Sequence, residues 1–180
     1  MPDPAPIGAD AVVAPRGWRA GSRLRLARLR LRARGRLRAG RDVQVGSGAS
    51  VRVAAGGSVV LGDGCLLGPG SRIEAAGGAV EIGPGARLGE RCTIVALAAV
   101  SVGAGAVVGE WAVISDAEPV AADVETPIRH QPLSPRPVVI GDGARIGAHA
   151  AIGAGARIAA GAAVGSYAVV PTPVAPLTSP

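Results

Sequence analysis

The sequence predicts an all-β fold, a parallel β-solenoid whose triangular coils are each built from three short strands. Two columns of residues and one spacing predict it. An aliphatic residue follows a beat of six within successive groups, at Val45, then Leu61, Leu67 and Ile73, then Ile82, Leu88 and Ile94, then Val102, Val108 and Ile114, and after a gap from Ile140 through Ile146, Ile152, Ile158 and Val164 to Val170. A period of six matches neither the 3.6 of an amphipathic helix nor the 2 of a single strand, and a fixed repeat signals stacked units. Of the twelve positions that open a full hexad, eleven are followed by glycine, Ala159 being the exception, against about 7% glycine in ordinary proteins.

The second column is the fifth place of the same hexads, which holds only Ala, Cys or Ser, from Ala49 and Cys65 to Ala162 and Ala168. An aliphatic residue pointing into a narrow core, a small residue in a tight corner and a glycine supplying unusual backbone angles account for both columns. The spacing agrees. Leu61 to Ile82 is 21 residues, Ile82 to Val102 is 20 and Ile140 to Ile158 is 18, so early coils carry small corner insertions.

At 180 residues the chain fits one domain, with a core buried by stacking coil on coil. Hydrophobic residues make up 48%, yet there is no Phe, and Trp18, Trp111 and Tyr167 are the only aromatics. An interior too thin for rings explains this. Cys65 and Cys92 occupy the small corner place and read as packed, reduced thiols.

Charge divides the chain in two. All nineteen basic residues are arginine, and residues 1–41 hold eleven of them against Asp3 and Asp10, a balance of +9. The remainder is at −3, so the pI near 11.1 belongs to the N-terminal arm. Residues 1–17, rich in Pro, Ala and Gly, read as a disordered tail. Residues 18–41 read as an arginine-rich arm and cap. From Arg28 to Arg38 arginine takes every even position, the alternation of a half-buried strand, and this predicts a first strand capping the open end of the solenoid. The alternative is an arm that holds an anionic lipid, nucleic acid or a phosphorylated substrate, although few aromatics are available to stack on bases. The acids and prolines of the first residues do not resemble a signal peptide, and no stretch approaches the ~18 apolar residues of a membrane span. The cytoplasm is the default compartment, with peripheral membrane attachment through the arm as the variant.

The β-helix domain is expected over 42–175. Residues 115–137, rich in proline and acids, interrupt the beat as one loop between two coils, and long loops on rigid scaffolds carry function. The prolines after Val170 end the strands.

Across about residues 45–175 the chain resembles the hexapeptide-repeat acyltransferases, left-handed parallel β-helix enzymes, and most of all the maltose and galactoside O-acetyltransferase group. Their hexad is aliphatic, glycine, two free places and a small residue. The stretch RPVVIGDGARIGA, residues 136–148, is similar to the family segment that re-enters the coil after the active-site loop. The resemblance implies a homotrimer that uses acetyl-CoA or another acyl-CoA without a metal, the cofactor lying between neighbouring solenoids and a sugar or similar hydroxyl acceptor entering beside it. It also implies a histidine general base just after the last strand before the loop, with backbone N–H groups steadying the oxyanion. Here that stretch reads ISDAEP, with Ala117 and Pro119 at the expected histidine positions. Three substitutes offer themselves: His130 in the same loop, His149 at the fourth place of its hexad and therefore outward at a corner, and Glu118 or Asp116 if a dry groove raises a carboxyl pKa. Arg145 and Arg157, twelve residues apart in successive coils, are the candidates for CoA phosphates. The family's Gly-Asn-Pro segment near the cofactor has no counterpart after Val170. The competing reading is a catalytically silent β-helix scaffold that binds a sugar, an anionic lipid or a protein partner. A carbonic anhydrase on this fold would need three histidine ligands, and the chain has two.

Overall fold

The computed structural model describes residues 18–119 and 131–171. Each coil places one strand on each of three faces. The first coil comprises β1 (Leu37–Ala39), β2 (Gln44–Val45) and β3 (Ser50–Val53). The second comprises β4 (Ser58–Leu61), β5 (Leu66–Leu67) and β6 (Arg72–Ala75), and the third β7 (Ala79–Ile82), β8 (Arg87–Leu88) and β9 (Thr93–Ala96). β10 (Ala99–Val102), β11 (Val107–Val108) and β12 (Val113–Ser115) make the fourth. After an antiparallel hairpin of β13 (Ala117–Pro119) and β14 (Leu133–Pro135), the fifth follows as β15 (Val138–Ile140), β16 (Arg145–Ile146) and β17 (Ala151–Ile152). β18 (Arg157–Ile158), β19 (Ala163–Val164) and β20 (Val169–Val170) form the sixth.

These strands assemble into three six-stranded parallel sheets. The first face is β1-β4-β7-β10-β15-β18, the second β2-β5-β8-β11-β16-β19 and the third β3-β6-β9-β12-β17-β20. The architecture is the left-handed parallel β-helix. Aliphatic residues of one column pair directly across coils, Val45 with Leu67, Leu67 with Leu88, Leu88 with Val108, Val108 with Ile146 and Ile146 with Val164. The register survives the long insertion, since Val102 still pairs with Ile140. The Ala and Cys of the small-residue column are buried from Cys65 to Ala156. Burial also pushes the Cys65 and Cys92 thiols up to about 12, and both are free, so neither is a thiolate nucleophile near neutral pH.

The glycine column has a different cause from the one expected. The glycine after each aliphatic residue is not the one with positive φ, a role that falls to the fourth hexad place. It is required because the next coil passes against it: a Cβ on Gly109 would lie 2.5 Å from the Ala148 nitrogen, whereas one on Gly165, with no coil beyond it, would meet nothing within 4 Å.

The strand expected over Arg28–Arg38 is also corrected. Trp18–Arg32 is an α-helix, α1, and only Leu37–Ala39 continues as strand. Leu, Arg and Ala are good helix formers and no β-branched residue interrupts the segment. Wound at 3.6 residues per turn, Ser22, Leu26, Leu29 and Ala33 fall on one face and pack onto the first coil. The cap satisfies an otherwise open sheet edge. Ser22 Oγ accepts the Val45 N–H at 2.7 Å and donates to the Val43 carbonyl, while Arg25 donates to the Val45 carbonyl and Arg30 to that of Ala39. No helix among the described residues is long and apolar enough to cross a membrane.

Changing Gly109 to Ala is expected to cost about 1–3 kcal/mol, the cost of overpacking, while Gly165→Ala stays within about 0.5 kcal/mol. Urea unfolding of the two variants checks this, and equal losses would contradict the stacking explanation.

Candidate active site

The long insertion leaves β12 at the corner between the third and first faces, and its exit is pinned by Asp116. This residue is fully buried, and its carboxylate oxygens accept the Leu97 N–H at 2.8 Å and the Ala98 N–H at 2.7 Å in the turn of the preceding coil. Its carbonyl accepts the Arg136 N–H where the chain returns. Asp116 is thus a structural anchor, which removes it from the candidate bases. Beyond it, Ala117 pairs with Pro135, Glu118 with Ser134 and Pro119 with Leu133. Glu118 is half-buried in this hairpin. His130 lies outside the described residues.

His149 stands at the opposite end of the third face, in the turn between β16 and β17. It is exposed and left-handed, with φ of 59°. Its ring stacks on Tyr167 at 4.8 Å and 4° and on Trp111 at 6.2 Å and 5°. The Arg91 guanidinium completes the column, 4.8 Å from the centre of the Trp111 ring, within the range of a cation–π contact. Arg91, Trp111, His149 and Tyr167 occupy the same turn position in coils three to six, all at φ between 52° and 60°, where coils one and two use Gly48 and Gly70. Backbone bonds set the rise: Trp111, His149 and Tyr167 each donate their N–H to the coil before, to Glu90, Glu110 and Ala148.

Left-handed conformation costs a non-glycine residue about 1–2 kcal/mol, and such residues concentrate at functional sites. The corner between the first and second faces instead keeps glycine at five of six equivalent positions, Asp42 being the other. The sequence reading picked out His149 but missed Trp111 and Tyr167 as its partners. The signal was available, because two of the chain's three aromatics fall in the same fourth hexad place as the histidine.

Between the ring column and the hairpin lies the outer surface of the third face. Val113, Ser115, Ala151 and Val169 point outward there, with Val113 and Val169 well exposed. The residues from Trp111 to Ala117 span at most roughly 20 Å at ~3.3 Å per residue. This is a largely apolar floor, with stacked rings at one end and a carboxylate-bearing hairpin at the other. Within one chain, His149 and Glu118 belong to opposite ends of the floor. Arg145 projects from the second face, opposite Val107 and Ala163, and Arg157 from the first, opposite Val139. Both are exposed, and a single chain does not bring them to one surface. No group of three metal-binding side chains occurs among the described residues.

No protein-family model matches the chain, and no curated protein matches it. Among solved structures, the chain is similar to AntD, an N-acyltransferase from Bacillus cereus, in complex with dTDP and 3-hydroxybutyryl-CoA. The TM-score is 0.62 at 17% identity, over 74% of this chain and 71% of that one. What they share is the fold. A variant of AntD in complex with dTDP-4-amino-4,6-dideoxyglucose and coenzyme A gives a TM-score of 0.61 at 17% identity, over 73% and 71%.

His149 ring protons should resonate upfield of those of a free histidine, shielded by the rings on both faces. In Trp111→Leu and Tyr167→Leu that shielding should fall, and each variant should lose about 0.5–1.5 kcal/mol of stability, the worth of a stacked pair. Proton NMR and urea unfolding test both, and an unshifted His149 in the unaltered chain would contradict the stack.

Proposed function

We propose that this protein is an acyl-CoA-dependent O-acyltransferase, acetyl being the simplest group moved, that acylates a hydroxyl of a sugar or similar acceptor. We also propose that it acts as a homotrimer, whose second copies face the third-face floor and bring Arg145 or Arg157 toward the CoA phosphates. The observation that carries the reading is the floor flanked by an oriented histidine, on a fold that in AntD holds an acyl-CoA and a sugar nucleotide.

The chemistry is direct transfer. A base takes the proton of the acceptor hydroxyl as its oxygen attacks the thioester carbonyl, the tetrahedral intermediate collapses, and the CoA sulfur leaves and recovers a proton. His149 is the first choice. Its ring faces are covered by Trp111 and Tyr167, so the ring edge, which carries the nitrogens, is what it presents outward. Glu118, paired in the hairpin, and His130 are the alternatives. Replacement of the family's loop histidine by Ala117 and Pro119 supports the second reading, a silent scaffold that binds a sugar, an anionic lipid or a protein partner. An anionic lipid or polyanion on the arginine-rich arm is compatible with either reading, as is a cytoplasmic site of action.

Calorimetric titration with acetyl-CoA and then CoA, at moderate salt, is the first test. Saturable binding near one site per chain is expected, followed by a loss of about 10²-fold or more in kcat for His149→Ala, with Glu118→Gln and His130→Ala milder. No binding of either ligand would favour the scaffold. Binding with full turnover in His149→Ala would move the base elsewhere.

A further inference from the structure

The arginine–leucine alternation that reads as a strand in sequence becomes, in a helix, two apolar stripes. One is the Leu26, Leu29 and Ala33 face packed on the first coil. The other points directly away from it. Leu24, Ala27 and Leu31 follow one another at three and four residues, all exposed, Leu24 at 57% and Leu31 at 80%. Arg28 stands beside this stripe, with Arg23 and Arg30 on one flank and Arg32 on the other, all exposed. Residues 18–41 carry ten arginines and no acid. None of Arg23, Arg28 and Arg32 forms an ion pair with a described residue, the one such pair in this region being Arg41 with Asp63.

From this arrangement we propose that the outward face of α1 docks the solenoid end-on against an anionic lipid bilayer, the leucines entering the headgroup boundary and Arg23, Arg28 and Arg32 pairing with lipid phosphates. The proposal rests only on the anionic-partner part of the reading above and not on its acyl-transfer chemistry. An apolar stripe flanked by cations is the pattern of a helix that lies in the membrane interface. A nucleic acid would satisfy the arginines but offers Leu24 and Leu31 nothing to bury them, so the leucines select lipid. The geometry also sets a height. Coils rise ~4.8 Å each and the helix is ~10 Å thick, so the hairpin after the fourth coil stands roughly 25 Å from the surface, beyond the reach of a hydroxyl lying at the bilayer boundary.

The test is co-sedimentation of the full chain with phosphatidylcholine vesicles and with vesicles of equal parts phosphatidylcholine and phosphatidylglycerol. Binding is expected to the anionic vesicles only, falling roughly fivefold for each of Arg23, Arg28 and Arg32 changed to Gln. The double change Leu24→Ser, Leu31→Ser should weaken it at least tenfold, with heparin binding unaltered. Leu31→Trp should blue-shift on adding anionic vesicles and not on adding heparin. No vesicle binding would overturn the proposal. So would leucine variants that bind vesicles as the parent does, which would leave a plain polyanion site. A leucine variant with altered oligomeric mass would assign the stripe to a subunit contact and overturn it too. CoA titration of the same variants is independent: loss of vesicle binding with CoA binding intact, or the reverse, tells which of the two readings has failed.

Discussion

Everything in this structure depends on how closely one coil lies on the next. Parallel strands stacked in register leave no room for a side chain where the chain turns from one face to another, and the glycine after each aliphatic residue is what that proximity demands. The same proximity lets each coil donate its turn N–H groups to the coil before and aligns Val, Ile and Leu into continuous ladders. Because each coil bonds mainly to its neighbours, the two ends of the stack differ from its middle. The first coil must be capped, and α1 does so with Ser22, Arg25 and Arg30 supplying hydrogen bonds to its strands.

Strict stacking also explains why the candidate site residues stand at corners and insertions. Inward positions are committed to packing, and strand residues that point outward form plain walls. The fourth hexad place, left-handed and outward, presents a side chain at a corner once per coil. Coils three to six use it for Arg91, Trp111, His149 and Tyr167, accepting backbone strain that glycine would have avoided. The column holds a histidine edge-outward beside an apolar floor. Asp116 does the complementary work on the other side, spending its buried carboxylate on two backbone N–H groups so that a long insertion can leave and rejoin without disturbing the register.

The two proposed chemistries lie in separate parts of the molecule. The arginines are concentrated on the cap, while the proposed reaction site is several coils away, where the chain is mildly acidic overall. A rigid stack keeps that separation constant, so attachment at one end and transfer further along would not compete for the same residues.

The period of six, the glycine and small-residue columns and the break at 115–137 were enough to derive the solenoid, its thin aliphatic core, the corner position of His149 and the burial of both cysteines, because each reflects a contact repeated in every coil. Two features were decided only by tertiary structure. Arg28–Arg38 alternates at two, but as a helix the same residues bury one stripe against the first coil, and contact with that coil selects the helix. Asp116 resembles a loop acid until the preceding turn, about twenty residues earlier in sequence, brings two N–H groups to it. The ring column differs from both: Trp111, His149 and Tyr167 share one hexad place, so the sequence carried their alignment, and stacking supplied the contact between residues 18 to 38 positions apart. Periodic patterns record contacts between like positions, whereas single contacts between unlike positions leave no period to read.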